Sequence, residues 1–212
     1  MDSGRLDNPV RGRFNAAFFD ALEQYMHRKY ASIKRELLTD LPPEVVELGP
    51  GAGANLRYLP KGTRLIGIEP NVHFHPVLKR RARQHGIELD LRGLAGESLD
   101  LQSSSVEFVF ASLVLCSVGN PEQVLAEVFR VLKPGGRFAC VEHVAAPDES
   151  ALLTLQKTIA KPWKWAFEGC ELCRDTGRTL KNAGFSRVEV RFLTLPTIFI
   201  PIRPQIAAVC FK

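Results

Sequence analysis

Val45-Val46-Glu47-Leu48 is a short apolar run that enters a glycine-rich turn, Gly49-Pro50-Gly51-Ala52-Gly53. A strand, a tight glycine turn and a following helix form a nucleotide-binding device, because glycine permits the turn and lets a ligand approach bare backbone. The turn alone is a common feature. Here a second strand, residues 64–69, ends on Glu69, 18 residues after Gly51. A carboxylate at that place accepts hydrogen bonds from both hydroxyls of a ribose, as in nicotinamide-dinucleotide domains. Three further features narrow the chemistry. Glu47 lies inside the strand before the turn, where it can meet the amino group of an amino-acid-bearing ligand. Gly96-Glu97 follow a third strand, at the place for an adenine. Arg130-Val131-Leu132-Lys133-Pro134-Gly135-Gly136 precede a fifth.

The elements that position these residues follow from periodicity. Phe18, Phe19, Leu22, Tyr25, Met26, Ile33, Leu37 and Leu38 recur at helical spacing, which predicts one or two helices over 15–38 with Asn15 as N-cap. Strands are expected at 45–48, 64–69, 87–91, 106–115 and 137–142, with helices at 76–85 and 121–132 between them. Residues 106–115 form a long apolar run, the mark of a parallel strand buried on both faces. Such alternation predicts an α/β fold with a Rossmann-like, mostly parallel sheet. After His143 the pattern changes: Trp163, Trp165 and Phe167 cluster, 175–182 reads as a helix, and 187–193 pairs with 206–211 as a closing antiparallel hairpin.

In this order the motifs resemble the class I S-adenosylmethionine-dependent methyltransferases. The resemblance implies that Glu47 and the Gly49, Gly51 and Gly53 backbone hold the methionine moiety of that cofactor, Glu69 its ribose, and Gly96, Glu97 and Ser98 its adenine. Ser112 and Leu113, at the carboxyl end of the fourth strand, line the path to the methyl group. Further strings are similar to the alkyl thiol S-methyltransferase subfamily, which in animals is associated with the endoplasmic reticulum and lipid droplets: Gly53-Ala54-Asn55, Glu69-Pro70-Asn71, Leu113-Val114-Leu115-Cys116-Ser117-Val118, Glu142-His143-Val144-Ala145, and Glu168-Gly169-Cys170 followed by Arg174. They add Asn55 and Pro70 to the cofactor set. Pro50 stands for a usual cysteine and Glu69 for a usual aspartate, and the hydrophobic N-terminal anchor of the animal proteins has no counterpart. The implied reaction is S-methylation of a small apolar thiol. O- or N-methylation of a quinone, phospholipid or natural product, a non-catalytic binding protein of the same fold, and a nicotinamide oxidoreductase are the alternatives.

Methyl transfer from a sulfonium is an in-line displacement, so the chain must mainly orient a nucleophile and exclude water. A thiol acceptor gains from a base or positive field that raises its thiolate fraction. His143, after the fifth strand, is the candidate base; its alternative role is to order the following loop. Phe18, Phe19, Tyr25, Trp163 and Trp165 are candidates for an apolar acceptor pocket covered by the N-terminal helices and residues 162–167. The apolar run Ile198-Phe199-Ile200 either edges that pocket or rests on a membrane. Cys170-x-x-Cys173 is half a zinc site, so no metal is expected and both read as neutral packing thiols. Cys116 and Cys140 fall in expected strands and read as small buried apolar residues.

Length and charge bound the rest. With 212 residues, 45% hydrophobic and 24% charged, the chain suits one methyltransferase domain: an N-terminal cover at 1–43, a cofactor half at 44–142 and a substrate-side segment at 143–212. Five cysteines suit reduced thiols. The polar start Met1-Asp2-Ser3-Gly4-Arg5 lacks a signal-peptide core, and the expected location is cytoplasmic with at most peripheral membrane contact. Net charge is +5, and between 57 and 93 eight basic side chains face three acidic ones. Lys79, Arg80, Arg81 and Arg83 crowd one helix there, read as a solvated face, and no nucleic-acid partner is expected.

Overall fold

The computed structural model describes residues 9–212; the polar start lies outside them. Helix α1 (Pro9–Leu37) leads into β1 (Glu44–Leu48). After the glycine turn and one 3-10 turn (Leu56–Tyr58) come β2 (Arg64–Ile68), α2 (His75–His85) and β3 (Glu88–Arg92). Next are β4 (Val106–Ser112), α3 (Pro121–Val131), β5 (Leu132–His143), α4 (Ala151–Ala166) and α5 (Thr176–Asn182). The chain closes with β6 (Arg187–Thr194) and β7 (Pro204–Phe211). The seven strands form one sheet in the order β3-β2-β1-β4-β5-β7-β6. All pairings are parallel except those of β7, which runs antiparallel to both β5 and β6.

Both faces of this sheet are covered, and β4 shows why its sequence is so apolar. Val109 and Ala111 turn to the core that packs against Val124, Leu125 and Val128 of α3 and Leu180 of α5. Phe108 and Phe110 turn to the opposite core, with Tyr30 and Leu37 of α1 and Leu78 and Ala82 of α2. A strand with apolar partners on both sides has no room for the polar alternation of an exposed sheet.

Two local expectations, the cap at Asn15 and the start of β5, are corrected, and residues 151–166 add a helix. Helix α1 is one continuous helix beginning at Pro9, and Asn15 is a buried interior residue, not its cap. Its Nδ2 donates to the carbonyl of Ala166 (3.1 Å), one of the carbonyls left over at the end of α4. Residues 151–166 form a helix despite Pro162, started by Ser150, whose side chain accepts from Leu153 N–H. Strand β5 begins at Leu132, before the expected turn at 133–136; the ladder passes from Val106↔Leu132 to Phe108↔Arg137, looping out the Pro134-Gly135-Gly136 segment. Leu132 finds a partner in Val106 that local propensity does not reveal.

Phe138 of β5 is fully buried and stacks on Phe185 at 6.4 Å. Phe138→Ala is expected to lower unfolding free energy by about 3–5 kcal/mol, read as a shifted denaturant midpoint.

Candidate functional site

In an open α/β sheet, ligands bind beyond the carboxyl ends of the strands where the strand order reverses. Here that point lies between β1 and β4, and the glycine turn, Glu69, Ser112, Leu113 and His143 all gather along this edge. Gly49, Gly51 and Gly53 adopt positive φ. A Cβ on Gly49 would strike Val114 at 2.6 Å, so that glycine lets the turn meet the loop after β4. A Cβ on Gly51 would meet nothing nearer than 4.0 Å, leaving its backbone open to a ligand. Leu113 also has positive φ (59°), with its N–H bonded to Val141 O (2.9 Å), so its backbone is strained at the end of β4.

Three buried carboxylates organise the edge. Glu69 accepts from Gly51 N–H and Asn71 N–H (2.9 Å each), closing the turn onto the end of β2. Burial raises its pKa to about 7 against those two bonds. Glu47 accepts from Asn55 Nδ2 (2.6 Å), and burial pushes its pKa up as well, countered by that bond and by Lys34 of α1. The lysine is itself buried, which lowers its pKa to about 8. Glu142 accepts from Val114 N–H (2.9 Å) and Cys116 N–H (3.2 Å), pinning the loop after β4. Asn55 Oδ1 is buried with no hydrogen-bond partner among the described residues, so it remains available to a donor.

Glu97 accepts from Gly119 N–H (2.9 Å) and Asn120 N–H (3.3 Å) beside the start of α3, and Gly96 packs close to Val124 of that helix. Ser98 N–H turns back to Ala95 O (3.2 Å). Pro70 lies between Glu69 and Asn71, and Asn71 is a residue sequence reasoning gave no role. Its Nδ2 donates to Glu168 Oε1 (2.8 Å) and Gly12 O (3.4 Å), tying the β2 end to α1 and to the segment after α4. Arg81 is corrected from a solvated position: it bonds Asp20 of α1 (2.8 Å) and Ala52 O (2.8 Å), while Lys79, Arg80 and Arg83 are exposed.

The aromatic candidates separate. Phe18 meets Phe19 (5.4 Å), Phe167 (5.9 Å) and Phe199 (6.2 Å), and Phe167 packs on Trp163 at 4.4 Å. Tyr25 joins through Phe199 (6.4 Å) and bonds Thr197 Oγ1 and Ile198 N–H. Trp165 stands 69% exposed, about 200° round α4 from Trp163. Of the run 198–200, Phe199 edges the cluster whereas Ile198 and Ile200 are exposed.

His143 Nε2 lies 2.9 Å from Cys170 Sγ, which also receives the indole N–H of Trp163 (3.2 Å). Cys170 is therefore more than a packing thiol, since its sulfur has two polar partners. A hydrogen bond from Cys116 first, then His143 and Trp163, lower its pKa against burial. Cys116 lies in the loop beyond β4, not in the strand, and Cys173 is exposed. The sulfur of Cys170 meets His143 and Cys116 from distant segments, whereas Cys173, its neighbour in the Cys-x-x-Cys spacing, is exposed.

A family model described as a methyltransferase domain matches residues 46–140. Over 197 residues the chain is 35% identical to thiol S-methyltransferase TMT1B of Rattus norvegicus, covering 88% of this chain and 81% of that protein. The chain belongs to the thiol S-methyltransferase family. Thiol S-methyltransferase TMT1A of Homo sapiens is 34% identical with the same coverage. The fold is that of a methyltransferase from Thermotoga maritima (TM-score 0.64, 20% identity, 93% and 97% covered). The strand order and the likeness to that solved structure bear out the expected Rossmann-like methyltransferase sheet, its antiparallel closing strands included.

A carboxyl whose pKa is raised on folding binds its proton more tightly in the native state, so stability falls as pH rises from the unfolded to the folded value. For Glu69 that window runs from 4.5 to about 7. Glu69→Gln is expected to lessen the fall in melting temperature across this window relative to the unsubstituted, ligand-free protein, checked by calorimetric scans at pH 5 and pH 8.

Proposed function

We propose that this enzyme transfers the methyl group of S-adenosylmethionine to the sulfur of a small apolar thiol. The reading is carried by one observation: an intact set of buried acids and open glycine backbone on the switch-point edge, in a chain about 35% identical to thiol S-methyltransferases over most of its length. The residues fit the donor. Glu47 and the unpartnered Oδ1 of Asn55 are acceptors for an ammonium. Glu69 has lone pairs left for ribose hydroxyls after its two backbone bonds, since each carboxylate oxygen accepts more than once. Gly49, Gly51 and Gly53 expose backbone to the methionine portion, Pro70, Gly96, Glu97 and Ser98 border the adenine, and Ser112 and Leu113 flank the methyl path.

When bound, S-adenosylmethionine supplies an electrophilic methyl on a sulfonium. The chain's task is to hold a nucleophile in line with it and keep water away. In this reading residues 44–142 form the cofactor half, and 1–43 with 143–212 choose the acceptor. Phe18, Phe19, Tyr25 and Trp163 receive an apolar chain, and Trp165, exposed on another side of α4, is left out of that pocket. His143 stands on the acceptor side, where the thiol must give up its proton. The exposed Phe14, Ile198 and Ile200 beside this mouth suit a peripheral membrane contact. No helix among the described residues is long and apolar enough to cross a membrane.

Calorimetric titration of S-adenosylmethionine is expected to show binding that Glu69→Ala weakens by about tenfold or more. Labelled-methyl transfer to a panel of alkyl thiols, phenols, amines and quinones is expected to favour the thiols. Absent cofactor binding would exclude the enzyme reading. Turnover of another class without thiol turnover would exclude the acceptor.

A further inference from the structure

Cys116, His143 and Cys170 are brought together from the loop after β4, the end of β5 and the segment after α4. One sulfur or nitrogen atom from each lies within 4.8 Å of the others. They are 1%, 2% and 8% exposed. Two sulfurs and an imidazole are the donors zinc prefers, and zinc–sulfur and zinc–nitrogen bonds of about 2.3 and 2.0–2.1 Å separate tetrahedral ligands by roughly 3.5–3.8 Å. Ångström-scale side-chain movement brings the three atoms to that spacing.

The surroundings are built to hold the two sulfurs there. Glu142 fixes the Cys116 N–H (3.2 Å), and Glu171 N–H donates to Cys116 O (2.8 Å). Arg174 donates to Leu115 O and Val118 O, clamping one cysteine loop to the other. Their approach requires Gly169, at φ 91°, since a Cβ there would lie 3.0 Å from Ser117 O. The Trp163 indole N–H on Cys170 Sγ is the kind of outer hydrogen bond that orients a metal-bound thiolate. His143 Nδ1 is buried without a hydrogen-bond partner among the described residues. A buried polar atom left unanswered in this way marks a centre whose full complement includes more than the described protein atoms.

We propose that Cys116 Sγ, His143 Nε2 and Cys170 Sγ bind a zinc ion whose fourth position takes the sulfur of the acceptor. The proposal rests on the thiol reading above and says how that thiol is activated. Two thiolates and a neutral imidazole cancel the zinc charge, so the buried centre is neutral before substrate arrives. An acceptor thiol loses its proton to water as its sulfur binds zinc. The sulfur lone pair then forms the new bond to the methyl carbon while the sulfonium's bond to that carbon breaks, its electron pair staying on the S-adenosylhomocysteine sulfur. No oxidant or reductant takes part. The thioether product is a weaker zinc ligand than a thiolate and leaves. The Phe18–Phe167–Trp163 aromatic series ends on Cys170, leading an apolar thiol to the open position.

The test is metal analysis of the whole protein, purified without chelator and equilibrated with zinc or cobalt. About one ion per chain is expected. The cobalt form should show tetrahedral visible bands with thiolate charge transfer, and these bands should shift on adding an alkyl thiol in the absence of S-adenosylmethionine. Cys116→Ser and Cys170→Ser should each weaken metal binding by about tenfold or more, and Cys173→Ser should leave it unchanged. Chelator removal of the ion from the unsubstituted protein tests the same point without any variant. Turnover should then fall at least tenfold and return with zinc. The proposal is overturned by protein that takes up neither ion, by a Cys116–Cys170 disulfide in reduced preparations, or by full thiol turnover in metal-free enzyme. Calorimetric binding of S-adenosylmethionine in the same samples separates the two readings: cofactor binding and thiol turnover without metal sink the zinc centre alone, and a metal-loaded chain that binds no cofactor sinks the methyltransferase reading instead.

Discussion

A parallel sheet ends its strands side by side, and at the carboxyl edge of this one three carboxylates, Glu47, Glu69 and Glu142, are buried. A buried carboxylate is costly unless hydrogen bonds satisfy it. Each of these is met by a loop or its side chain: Glu69 by the glycine turn and Asn71, Glu47 by Asn55, and Glu142 by the loop that carries Cys116. The need to satisfy these acids thus shapes the connections, and the connections form the site.

The cover depends on the same edge. Helix α1 sends the buried Lys34 toward Glu47 and holds Arg57 and Arg81 through Glu23 and Asp20. Asn71, anchored by Glu69, reaches α1 and Glu168 together. Part of the positive excess between 57 and 93 is consequently spent on fastening the cover, not on a partner. Those charges fasten α1 beside the glycine turn, while the rings of Phe18, Phe167, Phe199 and Trp163 pack together. In the proposed reading, polar groups face the ligand's polar half and apolar groups its acceptor, which is the division that a sulfonium donor and a hydrophobic thiol require.

Elements with strong local signals were legible from the chain. The apolar run of β4 announced a strand buried on both faces, and glycines followed by an acid at 18 residues announced the nucleotide edge. Elements decided by distant partners were not. Asn15 caps nothing because α1 starts earlier and needs the residue to bind the end of α4. Helix α4 passes through Pro162, and β5 starts at Leu132 because Val106 is there to pair with it.

By itself the sequence determined the alternation of strands and helices, the glycine turn and the acids that face it, since those depend on periodicity and backbone conformation within short stretches. Only the tertiary structure decided where each cysteine stands. Cys170 and Cys173 are neighbours in sequence, but the clamp of Arg174 and the bare backbone of Gly169 turn Cys170 toward Cys116 and His143, 54 and 27 positions away, and leave Cys173 exposed. Donor geometry is set by what packs against a loop, and no spacing along the chain encodes it.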